Sequence, residues 1–195
     1  MEKENLEFFE EWLTLEKYQF KILTMITILA DNQRAFRGSL NQFCDELGIG
    51  RSSANKNSIK EGLYYLAENN YILWLVDKDI HTVSLAKAAE KSKNIIKIKK
   101  AWYHLIRDTR GEAAWESVLK VFLVISELSQ THTITYKEIG EGISLSSSTV
   151  GRCVKTLCTI DFKDFRLMRE VEKKQDDDGN YYTVGQNYVK GIFWE

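Results

Sequence analysis

Residues 135–157 read TYKEIGEGISLSSSTVGRCVKTL, and this stretch decides the fold. Thr135 followed by Glu138 is a capping box. The threonine hydroxyl accepts from the backbone N–H of Glu138, and the carboxylate reaches back to the start of the helix. Tyr136, Ile139 and Ile143 then fall on one face of a short helix. A turn through Ser144 and Leu145 leads to Ser148-Thr149-Val150. From there Val150, Val154 and Leu157 recur at i, i+4 and i+7, the face of a second helix, with Phe162 at i+12.

The first half carries the same unit. Residues 39–66 read SLNQFCDELGIGRSSANKNSIKEGLYYL, opening on Ser39 with Gln42 three positions on, again a capping box. Leu40, Phe43 and Leu47 follow at the equivalent offsets. Ile59, Leu63 and Leu66 match Val150, Val154 and Leu157 in spacing, and Tyr71 matches Phe162. The first copy is about five residues longer between cap and second apolar face, and Gly48-Ile49-Gly50-Arg51-Ser52-Ser53 is where the excess is expected. Agreement at this many offsets marks an internal repeat.

The flanks agree too. Before the first copy, Tyr18, Phe20, Ile22, Leu23, Ile26 and Leu29 make an apolar helix face ending near Asp31-Asn32. Before the second, Trp115, Val118, Leu119, Phe122, Ile125 and Leu128 make another. After each copy the pattern becomes β-like. Residues 71–76 and 80–85 flank Asp77-Lys78-Asp79, and residues 165–172 and 181–189 flank Asp176-Asp177-Asp178-Gly179-Asn180, a turn by composition.

Helix, short helix, longer helix and two-stranded hairpin come in the order of a winged helix-turn-helix domain. The chain resembles that superfamily twice, over roughly residues 15–85 and 112–192. Residues 143–152, ISLSSSTVGR, are similar to the turn and recognition-helix entry of bacterial regulators and replication initiators. The resemblance implies a mainly α fold with small β-hairpins (α+β), arranged as two winged helix-turn-helix domains. The domains are expected at 1–85 and 112–195, with a basic helical connector at 86–111.

Such a fold reads DNA by seating a helix in the major groove, its N-terminal residues against base edges. With Val150, Val154 and Leu157 turned inward, Ser147, Ser148, Thr149, Arg152 and Lys155 are left on the outer face. In the first copy Asn55, Lys56, Asn57, Ser58 and Lys60 take that surface, with Arg51 in the longer turn. Arginine can pair bidentately with guanine, asparagine with adenine, and lysine neutralises phosphate. The same residue types also serve as caps and solvated faces, so the repeat context carries the reading. Lys173 and Lys174 on the second hairpin could reach phosphate, although Asp176, Asp177 and Asp178 at its tip would repel it.

Charge is unevenly spread. The whole chain has 27 basic and 28 acidic residues, a net −1, which excludes a uniformly basic protein and leaves room for a local patch. Lys87, Lys91, Lys93, Lys97, Lys99, Lys100, Arg107 and Arg110 face only Glu90 and Asp108 in the connector. Residues 1–17 are the acidic pole, with six glutamates against Lys3 and Lys17. Pairing between these poles competes with a nucleic-acid role for the connector. Within it, Ile95, Ile98, Trp102 and Leu105 fall at heptad spacing. That stripe either packs on a domain or pairs two protomers as a homodimer.

Little points to catalysis. The glycines are isolated, so no phosphate-binding loop exists. His81, His104 and His132 are scattered, and Cys44, Cys153 and Cys158 form no CxxC pair, so neither a metal site nor a disulfide framework is expected. Reduced thiols, no signal-peptide pattern after Met1 and no apolar run long enough for a bilayer predict a cytoplasmic protein. The expectation is a non-enzymatic protein binding double-stranded DNA, with no cofactor, no membrane and no small-molecule substrate. It would be a transcription regulator or a plasmid or phage replication initiator. The alternative is a protein-binding adaptor, similar to the tandem winged-helix kleisin partners of chromosome-condensing complexes.

Overall fold

The structure is a computed structural model describing residues 5–29, 35–86, 94–127, 133–163, 165–175 and 181–194; beyond residue 163 it describes backbone and, among side chains, Leu167. It is an α+β fold of helices and small antiparallel sheets. The chain divides into two compact units, Leu6–Lys97 and Ile98–Glu195, the latter with Met1–Asn5.

The first unit opens with β1 (Asn5–Phe9) and a 3-10 helix (Glu10–Thr14). Its acidic sequence hides an alternating pattern: Leu6, Phe8, Phe9, Trp12 and Leu13 are buried while Glu7, Glu10 and Glu11 stay outside. Then follow α1 (Lys17–Leu29), β2 (Ala35–Gly38), α2 (Leu40–Glu46), α3 (Ser53–Glu68), β3 (Ile72–Asp77) and β4 (Ile80–Leu85). The sheet order is β2-β4-β3, with Phe36 opposite Val83 and Trp74 opposite Val83 on the other side. Phe20, Ile22, Leu23 and Ile26 of α1 are sealed against Phe43, Ile59, Leu63 and Val83, all fully buried. Each such side chain contributes roughly 1.5–3 kcal/mol of burial. At Gly62 the helices come close: a Cβ there would lie 2.9 Å from Ile22 Cδ1.

The expected connector is only partly helical. Residues 87–93, with Lys87, Lys91 and Lys93, lie outside the described residues. Beyond them β5 (Ile95–Lys99) pairs with β1, and α4 (Lys100–Asp108) follows. The β-branched run Ile95-Ile96-Lys97-Ile98-Lys99 alternates as a half-buried strand does, which overrides the heptad reading. Ile96, Ile98, Trp102, Tyr103 and Ile106 are buried, whereas Ile95 and Leu105 are exposed. The expected Ile95-Ile98-Trp102-Leu105 stripe therefore does not exist as one face. Lys97 pairs with Glu7 at 3.1 Å, and Asn94 donates to the Glu10 carboxylate, so part of the basic segment meets the acidic pole.

In the second unit α5 (Trp115–Ser126), β6 (Thr133–Thr135), α6 (Tyr136–Ile143), α7 (Ser147–Leu157), β7 (Phe165–Gln175) and β8 (Tyr181–Trp194) come in the same sequence of types. The sheet order β6-β8-β7 repeats the first unit's topology. Both capping boxes form: Ser39 with Gln42, and Thr135 with Glu138. Phe122 stacks on Phe162 at 5.2 Å, and Trp102 meets both rings edge-on. The hairpin strands extend beyond the expected limits, to Gln175 and Trp194, and the acidic tip at 176–180 lies outside the described residues. No helix among the described residues is long and apolar enough to cross a membrane.

Candidate nucleic-acid interface

The helices that carry the candidate residues, α3 and α7, are both started by serine. Ser52 accepts from the Asn55 N–H at 3.2 Å, and Ser146 from the Thr149 N–H at 3.2 Å. Each cap ties down one of the unsatisfied N–H groups that open a helix. Counting from these caps fixes the repeat. Ile59 and Cys153 are each seven residues on, Leu63 and Leu157 eleven, and Leu66 and Ile160 fourteen; all are buried. The sequence match of Ile59 to Val150 was thus displaced by one helical turn, because Lys56, not an apolar residue, stands where the second copy has Val150. Cap to cap the first copy spans 13 residues, Ser39 to Ser52, against 11 from Thr135 to Ser146, so only two residues of the excess lie in the turn and the other three came from the shifted match.

In α7 one exposed stripe runs Ser148, Arg152, Lys155, spaced four and three residues apart. The inner face is Val150, Cys153, Val154 and Leu157, all fully buried. Burial pushes the Cys153 thiol up to about 12, so it is an inert apolar residue. Ser147 is also exposed, and Thr149 is half-buried. The Thr149 hydroxyl lies 2.9 Å from that of Ser146 and accepts from Arg152 Nη2 at 3.3 Å, holding the guanidinium along the helix. Lys155 Nζ donates to Glu112 Oε1 at 2.5 Å, and its ammonium holds the Glu112 carboxyl below the usual range.

In α3 the exposed stripe is Ser53, Asn57 and Lys60, while Lys56 and Ser58 are half-buried at its borders. Two of the expected contacts are already committed within the fold. Asn55 donates to the Gly50 carbonyl at 2.7 Å and accepts from the Tyr18 hydroxyl at 3.1 Å. Arg51 forms a two-pronged pair with Asp45, Nε to Oδ1 at 2.8 Å and Nη2 to Oδ2 at 2.7 Å. The guanidinium holds the Asp45 carboxyl below its ordinary value. The longer turn is thus braced by its own side chains. Asn57 and Lys60 lie on the exposed stripe of α3, while Asn55 and Arg51 are hydrogen-bonded to the turn that precedes it. Lys173 and Lys174 lie on β7 opposite Thr183 and Tyr182, and their side chains are outside the described residues.

Sequence reasoning missed Ser53, the outermost residue of the α3 stripe, and the anions Asp45 and Glu112 that hold Arg51 and Lys155. It also passed over His81. That ring is buried, stacks on Trp74 at 5.8 Å and accepts from Trp74 Nε1 through Nδ1 at 3.1 Å. Burial, and then Lys60, push its pKa down, with Asp79 partly opposing them. The hairpin beside α3 is therefore pinned by an aromatic–imidazole pair. Leu73 and Leu75 on β3 are 62% and 72% exposed, and Ile80 at the start of β4 is exposed beside them. Among the described residues no group of His, Cys, Asp or Glu could hold a metal ion.

Comparison of the chain with protein-family models gives no match, and comparison with curated proteins gives none.

Proposed function

We propose that the chain is a non-enzymatic protein that binds double-stranded DNA through two winged helix-turn-helix units, each entering a major groove with the start of α3 or α7. The observation that carries the reading is the recurrence, in both units, of the order helix, strand, short helix, serine-capped helix and hairpin, with the same strand order in each sheet. The polar stripes Ser53-Asn57-Lys60 and Ser148-Arg152-Lys155 lie opposite the buried faces of their helices, as groove insertion requires. Arg152 is the base reader, able to add ~1–3 kcal/mol of discrimination through a two-pronged guanine contact. Lys60 and Lys155 neutralise phosphate. Arg51 and Asn55 hold the turn that aims α3. The role that fits is a cytoplasmic transcription regulator or a replication initiator of a bacterium or mobile element.

Selection of bound sequences from a random duplex pool at low salt tests this. Enrichment of a defined site supports it, and no duplex retarded at low salt refutes it. The exposed Leu73, Leu75 and Ile80 favour a second reading, a protein-binding adaptor that docks a partner on the first hairpin. Under that reading Leu75→Asp abolishes partner binding, whereas DNA retardation is absent in every variant.

A further inference from the structure

The second unit holds a cleft of about 510 Å3 beside α4, inside the roughly 300–1,000 Å3 span of small-molecule sites. Trp102 and Phe162 contribute an aromatic wall, both almost fully buried. Leu105 adds an exposed apolar shoulder, and its carbonyl is capped by the Thr109 hydroxyl at 2.6 Å. At the rim stand His104, Asp108 and Lys163, all exposed.

The charges are the informative part. Among the described residues neither the Asp108 carboxylate nor the Lys163 ammonium forms an ion pair, with the other or with any third group. Two opposite charges thus line one cleft without meeting, above an aromatic wall. A ligand that carries both signs on one carbon, with an apolar body beside them, offers a partner to each of these charges and to the aromatic wall. A lone anion would leave Asp108 repelling it, and a lone cation would leave Lys163 doing so.

We infer that this cleft binds a free α-amino acid with an apolar ring or branched side chain. The ammonium goes to Asp108 and the carboxylate to Lys163. His104, one turn before Asp108 on the same flank of α4, lies beside this charged end. The side chain covers Leu105 and reaches the edges of Trp102 and Phe162. Charge-assisted contacts of this kind are the strong ones, so removing either ligand charge is costly. The site stands apart from the DNA-binding reading and holds whether or not α3 and α7 meet DNA.

Isothermal titration of the full chain, without DNA, with L-phenylalanine, L-leucine, 3-phenylpropionate and 2-phenylethylamine tests it. Saturable binding is expected for both amino acids, with about tenfold weaker binding of the phenyl compounds that lack one charge. Asp108→Asn should lower L-phenylalanine affinity about tenfold and leave 3-phenylpropionate affinity no lower. Lys163→Met should lower L-phenylalanine affinity equally and leave 2-phenylethylamine affinity no lower. Both side chains are exposed, and far-UV circular dichroism confirms that each variant is folded. No heat with either amino acid at millimolar concentration overturns the inference. So does equal binding of all four compounds, which would make the cleft a bare apolar groove, or a loss in the variants that ignores the ligand's charge.

Discussion

The Tyr18 hydroxyl donates to Asn55 Oδ1 across 3.1 Å, joining the start of α1 to the first turn of α3. Asn55 passes the constraint on to the Gly50 carbonyl, so the aim of α3 is set by a chain of three groups. Tyr18→Phe is expected to cost ~0.5–1.5 kcal/mol of stability. Asn55→Ala is expected to cost more, roughly 1–3 kcal/mol, since it strands two partners. In a double-mutant cycle by urea denaturation the two changes should be non-additive. If Asn55 reads bases instead, Asn55→Ala will alter site preference and leave stability untouched.

The turn between α6 and α7 is as tight as its backbone permits. The Gly140 carbonyl accepts from the Leu145 N–H at 2.9 Å, and a Cβ on Gly140 would fall on the Leu145 carbonyl oxygen. Ser144 takes the left-handed conformation, φ 57°, that closes the turn. Gly140→Ala should therefore destabilise the second unit by ~1–3 kcal/mol or more. Gly142→Ala, which meets no atom within 4 Å, should be neutral or stabilise by roughly 0.5–1 kcal/mol. Thermal denaturation of the two variants side by side checks the contrast.

Lys120 is buried in α5, and that burial lowers its pKa from 10.5 to about 8, with Glu116 partly offsetting the shift. Between those values the unfolded chain binds the proton more tightly than the folded one, so stability rises with pH across the window from about 8 to 10.5. Below pH 8 the cost is present in full. Lys120→Met should raise stability at pH 7 and abolish the gain across that window. Urea midpoints at pH 7, 8, 9 and 10 give the answer; equal slopes in both proteins would show that the ammonium is solvated in the fold.

Glu112 holds Lys155 at 2.5 Å on the exposed stripe of α7. Glu112→Gln releases the ammonium for phosphate. DNA affinity at low salt should rise severalfold, and the slope of log affinity against log salt should steepen by up to about 1. A variant that binds duplex no more tightly than the parent would place Lys155 away from the backbone.

The repeated order of elements was legible because it rests on local signals. The boxes at Ser39 and Thr135 and the faces of Phe43 and Ile139 follow from spacing alone, and both boxes form. The register of the repeat was not legible. A face that recurs every turn lets Ile59 match Val150 as readily as Cys153, and only the Ser52 and Ser146 caps separate the two. Strands of three or four residues, β2 and β6, are too short to show alternation. The commitment of Asn55 depends on Tyr18, 37 residues away. The heptad in the connector failed because Ile95, Ile96 and Ile98 suit a strand as well as a helix, and β1 supplied the pairing edge.

Fluorescence anisotropy of a selected duplex across a salt series, with the parent chain, Arg152→Ala and Lys60→Ala, reaches the heart of the matter. The parent should bind with a steep negative dependence of log affinity on log salt, and each substitution should reduce that slope by about 1. Arg152→Ala should also relax the preference for one base position, and Lys60→Ala should weaken all sequences alike. Equal affinity in all three proteins, or no binding at the lowest salt, would contradict a role for α3 and α7 at the DNA surface.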